Sequence, residues 1–430
     1  MARFFALPHE LCFQIFDDLE LIDKIHLSAT CKALRTQLLP EVFKTIYFTN
    51  DEASAKSALA AVEAYGEYTT FIEFICNSKS DDELTTPALP VAASKILKGH
   101  LTPNLRTVEL EFYYDFDDGR EWDDNPDLDS WGSIQIFEAI EDADYVREQE
   151  QIWQWRALMK ETWDALAANT YVRELIMDAF LPKWTSTFRT DEFHQFLARL
   201  ESATFNIFGM DDGAGSLTNT TRGYCEFLST LDHSFFRYMT GLKHLYIKAW
   251  DPLGLEGDCH IPLALRAEDL PVLESLKLEN CFVCPDLVRF IHGHAQTLRS
   301  IDVDGCYSGG YQEDMRINPI TWARFFDEIY DAKLSLVELK FRGSDVPPLS
   351  NPKPNSYYVE QEYEDVQGMC QKIASNPKLK LFGYKYLWDL YGEDIHAWGE
   401  NVDRFNIGDD QRAYERLMGL VEANAAKAGQ

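Results

Sequence analysis

Two spacings of apolar residues divide the chain. From Leu7 to Phe43 the apolar residues recur at helical intervals, which is the pattern of short amphipathic helices. We predict three helices here, with Pro8 in the first turn of the first and with Asp23 and Thr30 marking the starts of the next two. Farther along, apolar residues alternate in short runs, which is typical of strands with one buried face.

The alternating runs share one frame, apolar-x-x-apolar-x-apolar-x-x-[Cys or apolar]. Clear copies begin at Leu105, Val172, Leu200, Leu242, Leu273, Leu298 and Leu336, and weaker copies begin at Phe43, Phe71 and near Leu379. The fourth and sixth residues share one face of a strand and should point into a core. Helical stretches, such as residues 285–294 and 321–330, fall between copies. The uneven spacing, 25 to over 60 residues, predicts an irregular array.

The N-terminal series has a specific order of residues. It runs Leu7-Pro8-x-Glu10-Leu11, Ile15-Phe16, Leu19, Ile22-Asp23, His26 to Lys32, Arg35 and Leu39-Pro40-x-x-Phe43. This series resembles an F-box of the form common in fungal proteins. The tryptophan often found near the end of the box is absent, and Phe43 takes the nearest aromatic position.

The resemblance implies that residues 1–42 form a three-helix module that binds a Skp-type adaptor and, through it, a cullin ubiquitin ligase. The adaptor contacts that it implies are Leu7, Pro8, Leu11, Ile15, Leu19, Leu27 and Cys31. A second interpretation is that these apolar residues only seal one end of the domain that follows.

The repeated frame of residues 43–425 is similar to a leucine-rich repeat, in which short parallel strands and helices stack into a solenoid. The expected fold class is therefore α/β, a short N-terminal three-helix F-box followed by an irregular leucine-rich-repeat-like solenoid. An insertion at about residues 114–170 opens with an acidic run and continues as one long or two consecutive amphipathic helices. Residues 409–425 are predicted to form a helical cap, and residues 426–430 a disordered tail.

Polar residues between the apolar members of the last copies are predicted to face the concave side of the solenoid. They are His244, Tyr246, Lys248, Ser275, Lys277, Glu279, Ser300, Asp302, Asp304, Glu338, Lys340 and Arg342. Four of them are cations on one face of an acidic chain. We therefore take this face as the candidate surface for a target protein, with an acidic or phosphorylated segment as one option. An ordinary solvated face of mixed charge is the alternative.

The net charge restricts the classes of binding partner, and the cysteine content indicates the cellular compartment. With 71 acidic and 40 basic residues the formal charge is −31, which excludes a generic nucleic-acid or anionic-membrane surface, so the expected partners are proteins. Nine scattered cysteines and the lack of a signal-peptide pattern predict a reducing compartment, the cytoplasm or the nucleus. No apolar run approaches the ~18 residues of a membrane span.

No motif predicts catalysis, a metal or a cofactor. Cys281 and Cys284 with His292 and His294 have the wrong spacing for a zinc finger, which favours buried free thiols. No nucleophile motif is present. We predict a non-catalytic substrate receptor of a Skp/cullin/F-box ubiquitin ligase. A leucine-rich-repeat scaffold without a role in degradation, and an enzyme whose site is assembled from distant residues, remain open.

Overall fold

The computed structural model describes most of the 430 residues. The described ranges are residues 9–79, 82–115, 134–212, 215–255, 260–309, 320–343, 346–349, 360–388 and 390–428. Within them the helices are α1 His9–Asp17, α2 Leu21–Thr30, α3 Lys32–Val42, α4 Glu52–Tyr65, α5 Val91–Leu97, α6 Ala143–Ile152, α7 Gln154–Ala167, α8 Asp191–Ala198, α9 Arg222–Ser229, α10 Leu231–Ser234, α11 Pro285–Gly293, α12 Trp322–Asp331, α13 Glu360–Ser375, α14 Trp398–Ile407 and α15 Asp409–Ala428. The strands are β1 Thr45–Thr49, β2 Phe71–Lys79, β3 Thr107–Asp115, β4 Glu174–Phe180, β5 Ser202–Ile207, β6 His244–Leu253, β7 Ser275–Val283, β8 Ser300–Asp302, β9 Tyr307–Gly309, β10 Glu338–Lys340, β11 Tyr384–Trp388 and β12 Glu393–His396.

The strands of the described ranges form one mostly parallel sheet of twelve strands. From β1 to β7 each strand pairs in parallel with the next one along the chain. The sheet then forks at β7. The first half of β7 pairs with β8, which pairs with β10, and its second half pairs with β9, which leads to β11 and the antiparallel β12. The fold class is α/β, as predicted.

The main core lies on one face of the sheet. Leu276 and Leu278 of β7 are buried, while Lys277 between them is not, because successive side chains of a strand point to opposite faces. Helices α11 and α12 bury one side, including Ile291 and Phe325, in the same core. Each of the seven clear copies of the frame contains a strand, β3 to β8 and β10. The weak copy near Leu379 does not, since β11 begins at Tyr384.

The last position of the frame is buried in some strands and exposed in others. It is buried where the preceding residue has a positive φ, as in Phe180 after Ala179 (49°), Cys281 after Asn280 (54°) and Cys306 after Gly305 (86°). In β3 and β6 the alternation continues regularly, so Tyr113 and Trp250 are 63% and 60% exposed. A single left-handed residue therefore decides which face of the sheet receives the last side chain.

The three N-terminal helices exist, but two of their starts were predicted wrongly. Helix α2 begins after Glu20, before Asp23, and Thr30 is its last residue rather than the start of α3. The Thr30 hydroxyl donates to the Leu27 carbonyl (2.7 Å), and the extended backbone of Cys31 then separates the two helices. The helices share a small cluster apart from the sheet core, formed by the buried residues Cys12, Phe16, Leu34 and Leu38.

Most of the described part of the predicted insertion belongs to the helical layer. It contains two consecutive helices, α6 and α7, in agreement with one of the two predicted arrangements. Helix α7 buries Trp155, Leu158 and Trp163 and packs on α5, α8 and β2, so it is part of the main core rather than an insertion. The acidic residues at 116–133 lie outside the described ranges.

The loop between β11 and β12 is tied to a segment that follows β5. The Leu217 N–H donates to the Tyr391 carbonyl (2.9 Å), and the Asn219 side chain donates to the Gly392 carbonyl (2.8 Å). Gly392 has a φ of 72°, and a Cβ there would overlap the Asn219 amide. Helix α15 continues to Ala428, so residues 426–428 are helical rather than a disordered tail. No helix of the described ranges is long and apolar enough to span a bilayer.

Candidate protein-binding surfaces

Helices α1 and α2 carry exposed apolar side chains. Leu11 and Ile15, one turn apart on α1, are 44% and 41% exposed, and Leu21, Ile22 and Ile25 of α2 are also exposed. Water-exposed aliphatic side chains in this number on so small a module are typical of an interface with another protein.

The predicted adaptor-binding residues fall into three groups. Leu11 and Ile15 are exposed, as noted above. Leu19, Leu27 and Cys31 are half-buried and pack against the core of the module. Leu7 and Pro8 lie outside the described residues. The α2 residues Leu21, Ile22 and Ile25 were not predicted as contacts, although the helical spacing of the two isoleucines is visible in the sequence.

The predicted target-binding residues lie together on the face of the sheet opposite the core, here called the open face. The parallel register aligns them in rows across β6, β7, β8 and β10. One row holds His244, Ser275, Ser300 and Glu338, and the next holds Tyr246, Lys277, Asp302 and Lys340. Lys248 lies opposite Glu279, and Arg342 bonds to Asp304 (2.6 Å).

The cations of the open face are neutralised by carboxylates of the same face. The pairs are Lys248 with Glu279 (3.0 Å), Lys277 with Glu279 (4.0 Å), Lys340 with Glu338 (3.2 Å) and Arg342 with Asp304 (2.6 Å). The open face over these strands therefore carries mixed charge, which was the alternative considered for it. The physical reason is the parallel register, which places each cation beside an acidic residue of its own strand or of the neighbouring one.

Tyr246 links two of these pairs. Its hydroxyl donates to Glu279 (2.6 Å), and the ammonium of Lys277 lies 4.0 Å from the centre of its ring. Burial alone would raise the pKa of Glu279, but the hydrogen bonds from Tyr246 and Lys248 hold it below its ordinary value. Burial and the bond to Glu279 raise the pKa of Tyr246, so its hydroxyl stays a donor.

The strands β2, β3 and β4 carry unpaired negative charge on the open face. Glu73 lies opposite Glu109, and Glu111 lies opposite Asp178. Burial and the neighbouring carboxylates raise the pKa of Glu109 and of Glu111. Among the described residues no Lys or Arg forms an ion pair with either glutamate. The open face is thus negative over β2–β4 and balanced over β6–β10.

We expect Glu109→Gln and Glu338→Gln to change stability in opposite directions at pH 7. The pKa of Glu109 is raised in the folded protein, so this group lowers stability as the pH rises above about 4.5, and its removal raises the melting temperature. Hydrogen bonds from Ser300 and Lys340 lower the pKa of Glu338, so this group stabilises above that pH, and its removal lowers the melting temperature. Solvent screening keeps each change below about 1 kcal/mol.

Thermal melts of both variants between pH 4 and pH 7 test this prediction. Both differences from the wild type should shrink toward pH 4, where the carboxyl groups become protonated. Shifts of the same sign at pH 7 would contradict the assignment of charge on the open face.

Three exposed aromatic residues also lie on the open face. Tyr47 of β1 is opposite Glu73, Tyr113 of β3 is opposite Asn77, and Trp250 follows Lys248 by two residues on β6. Aromatic side chains among polar ones are typical of protein-binding surfaces. The frame placed Tyr113 and Trp250 at its last position, where apolar character alone does not decide which face they take.

The cysteines and histidines considered for zinc are engaged separately. Cys281 and Cys284 are both buried, and burial raises the pKa of Cys281. The two ring nitrogens of His294 lie 2.8 and 2.9 Å from backbone carbonyl oxygens. In the part of the chain that the structure describes, which excludes Cys259, no three His, Cys, Asp or Glu residues are arranged to hold a metal.

No protein-family model and no curated protein sequence matches the chain.

Proposed function

We propose that this chain is the substrate-recognition receptor of a Skp/cullin/F-box ubiquitin ligase. Helices α1–α3 act as the F-box, and the chain from residue 43 acts as an irregular leucine-rich-repeat-like solenoid. The observation that carries the proposal is the exposed apolar surface of α1 and α2 on a module whose described residues include four buried core side chains. An adaptor that covers Leu11 and Ile15 removes their apolar surface from water. This burial stabilises a module that is too small to bury much apolar surface within itself.

The open face is the proposed surface for the target protein. Its strands follow one another in register from β1 to β8 and β10, so residues far apart in sequence form a continuous polar surface. Tyr47, Tyr113 and Trp250 add exposed aromatic contacts to it. A mixture of charged and aromatic side chains suits a protein partner.

In this role the chain needs affinity and geometry but no nucleophile. The receptor holds lysines of the target near a charged conjugating enzyme, which turns a bimolecular encounter into a nearly intramolecular one. Other subunits then transfer the ubiquitin.

Co-purification of the full chain with a Skp-type adaptor tests the proposal. The test variant is Leu11→Asp with Ile15→Asp, because charge at these exposed positions opposes burial in an interface while leaving the core of the module intact. The matched control is Val91→Asp with Ile407→Asp, two apolar residues more than half exposed outside the module. Circular dichroism and thermal melts verify that both variants fold.

We expect the wild type and the control to form a stoichiometric complex and the test variant to bind at least tenfold more weakly, about 1.4 kcal/mol. Absence of a complex with the folded wild type would refute the receptor function. Equal binding by the test variant would show that α1 is not the adaptor surface. The lifetime of the bound target protein in cells distinguishes a receptor from a non-degradative scaffold. For a receptor this lifetime depends on Leu11 and Ile15, and for a scaffold it does not.

A further inference from the structure

A cavity of about 340 Å³ lies between α6, the start of α7 and the segment that follows β4. Its lining combines apolar and aromatic side chains with charged ones, and it includes Tyr145, Gln149, Trp155, Arg156 and Lys183. This volume is at the small end of the range for small-molecule sites. Lys183 follows the carboxyl end of β4 by three residues, and the carboxyl ends of parallel strands are where α/β folds place their ligands.

Two buried cations lie beside this cavity. Glu141 accepts from Lys183 (2.8 Å), from Arg156 (3.0 Å) and from the backbone N–H of Trp184 (3.1 Å). One buried carboxylate therefore serves two buried cations. Arg189 adds a third cation, whose guanidinium donates to the backbone carbonyl of Glu141 (3.4 Å). The other carboxylate of the lining, Glu138, is exposed.

Arg156 retains unused hydrogen-bonding capacity. Its side chain is 1% exposed, and its Nε and Nη1 atoms are enclosed without a hydrogen-bond partner. Buried polar groups are nearly always paired, and a buried guanidinium with free N–H groups is a rare exception. Burial and the neighbouring Arg156 also lower the pKa of Lys183, to about 8, although Glu141 acts in the opposite direction. Among the described residues, Glu141 is the carboxylate that forms ion pairs with both cations.

We propose that this cavity binds a small organic anion, a carboxylate or phosphate group attached to a compact apolar body. The anionic group lies beside Lys183 and Arg156 and adds a second anionic partner for the two cations that share Glu141. Trp155, Tyr145 and Ile136 contact the apolar part. The site lies outside the two surfaces of the proposed receptor function and does not depend on that function.

Isothermal titration of the isolated full chain tests the site, with benzoate, phenyl phosphate, inorganic phosphate and the neutral analogue benzamide as probes. We expect saturable binding of benzoate or phenyl phosphate and at least tenfold weaker binding of benzamide. Preference for phenyl phosphate identifies a phosphate ligand, and preference for benzoate identifies a carboxylate ligand. Inorganic phosphate measures the contribution of the anionic group alone.

Two variants assign the binding to this cavity. Gln149→Glu adds a negative charge to the lining at constant size, and the new carboxylate retains an acceptor for the Trp153 indole N–H, which Gln149 binds at 2.9 Å. Lys183→Met removes one cation and leaves Glu141 paired with Arg156 alone. Each should weaken anion binding at least tenfold, whereas Lys277→Met on the open face should leave it unchanged.

The site would be refuted by two results. One is the lack of saturable binding of any anion to the wild type at millimolar concentration. The other is wild-type affinity in the Gln149→Glu variant, which keeps both buried cations and is therefore the safer variant for folding. Neither result bears on the adaptor experiment, because no adaptor is present.

Discussion

Replacing Glu141 with alanine is expected to lower the free energy of unfolding by about 3–5 kcal/mol. The carboxylate lies between the buried Arg156 and Lys183, and its removal leaves two cations in the interior without a counter-ion. Burial would raise the pKa of Glu141, but the two cations hold it below its ordinary value of 4.5. Its stabilising effect is therefore present above about pH 4.5 and lost as the pH falls further. The wild type and the variant should converge in acid.

Urea unfolding followed by tryptophan fluorescence at several pH values measures this effect. Glu138→Ala is the matched control, since Glu138 lines the same cavity but is exposed, and its removal should change stability by less than about 0.5 kcal/mol. Adding Lys183→Met to Glu141→Ala should restore part of the loss, because one of the unpaired cations is then gone. A loss below about 1 kcal/mol at pH 7 would show that the interior tolerates both charges without Glu141.

Replacing Trp322 with alanine is expected to lower the free energy of unfolding by about 3–5 kcal/mol. The side chain is fully buried and contacts Phe326, Phe341 and Phe382 with ring centres 5.0–5.9 Å apart. Its indole N–H donates to the Gly383 carbonyl (2.9 Å), so α12 is joined to the residue before β11. The variant loses this bond and leaves a cavity among the rings.

Thermal and urea unfolding of two control variants separate the contributions at this position. Trp322→Phe keeps an aromatic ring but not the N–H, so it should lose less than the alanine variant. Trp250→Ala removes an exposed tryptophan from the open face and should change stability by less than about 1 kcal/mol. Comparable losses for Trp322→Ala and Trp250→Ala would contradict the burial assigned to these two residues.

The strands were predictable because their pattern is local. Each clear copy of the frame places two leucine-like residues two positions apart, and only a strand buries both on one face. The residues with a positive φ that precede the last position of the frame were harder to predict from the sequence. Asn280 and Gly305 belong to residue types that accept a positive φ, whereas nothing in the sequence marks Ala179. Strands β9, β11 and β12 were missed because they lack the frame.

The alternation of apolar and polar residues along the strands predicted which side chains lie on the open face. It did not predict which cations and carboxylates form ion pairs there. Lys248 and Glu279 are 31 residues apart and meet only because β6 and β7 pair in one particular register. The cavity beside Glu141, Arg156 and Lys183 could not be predicted from the sequence either. Arg156 lies in a helix that was assigned to an insertion, and Glu141 and Lys183 lie in connecting segments without any motif. Contacts of this kind arise from packing, which the spacing of one chain does not encode.

The link between the β11–β12 loop and the segment after β5 has a mechanical consequence. Strands that contact only their neighbours in a repeat array can separate one at a time under tension. Here Tyr391 and Gly392 bond to Leu217 and Asn219, and β6, β7, β9 and β11 lie between the two ends of that link. Tension across these strands therefore loads the link and the strand pairs together. Separating β5 from β11 therefore requires the loss of this link as well as of the strand pairs between them.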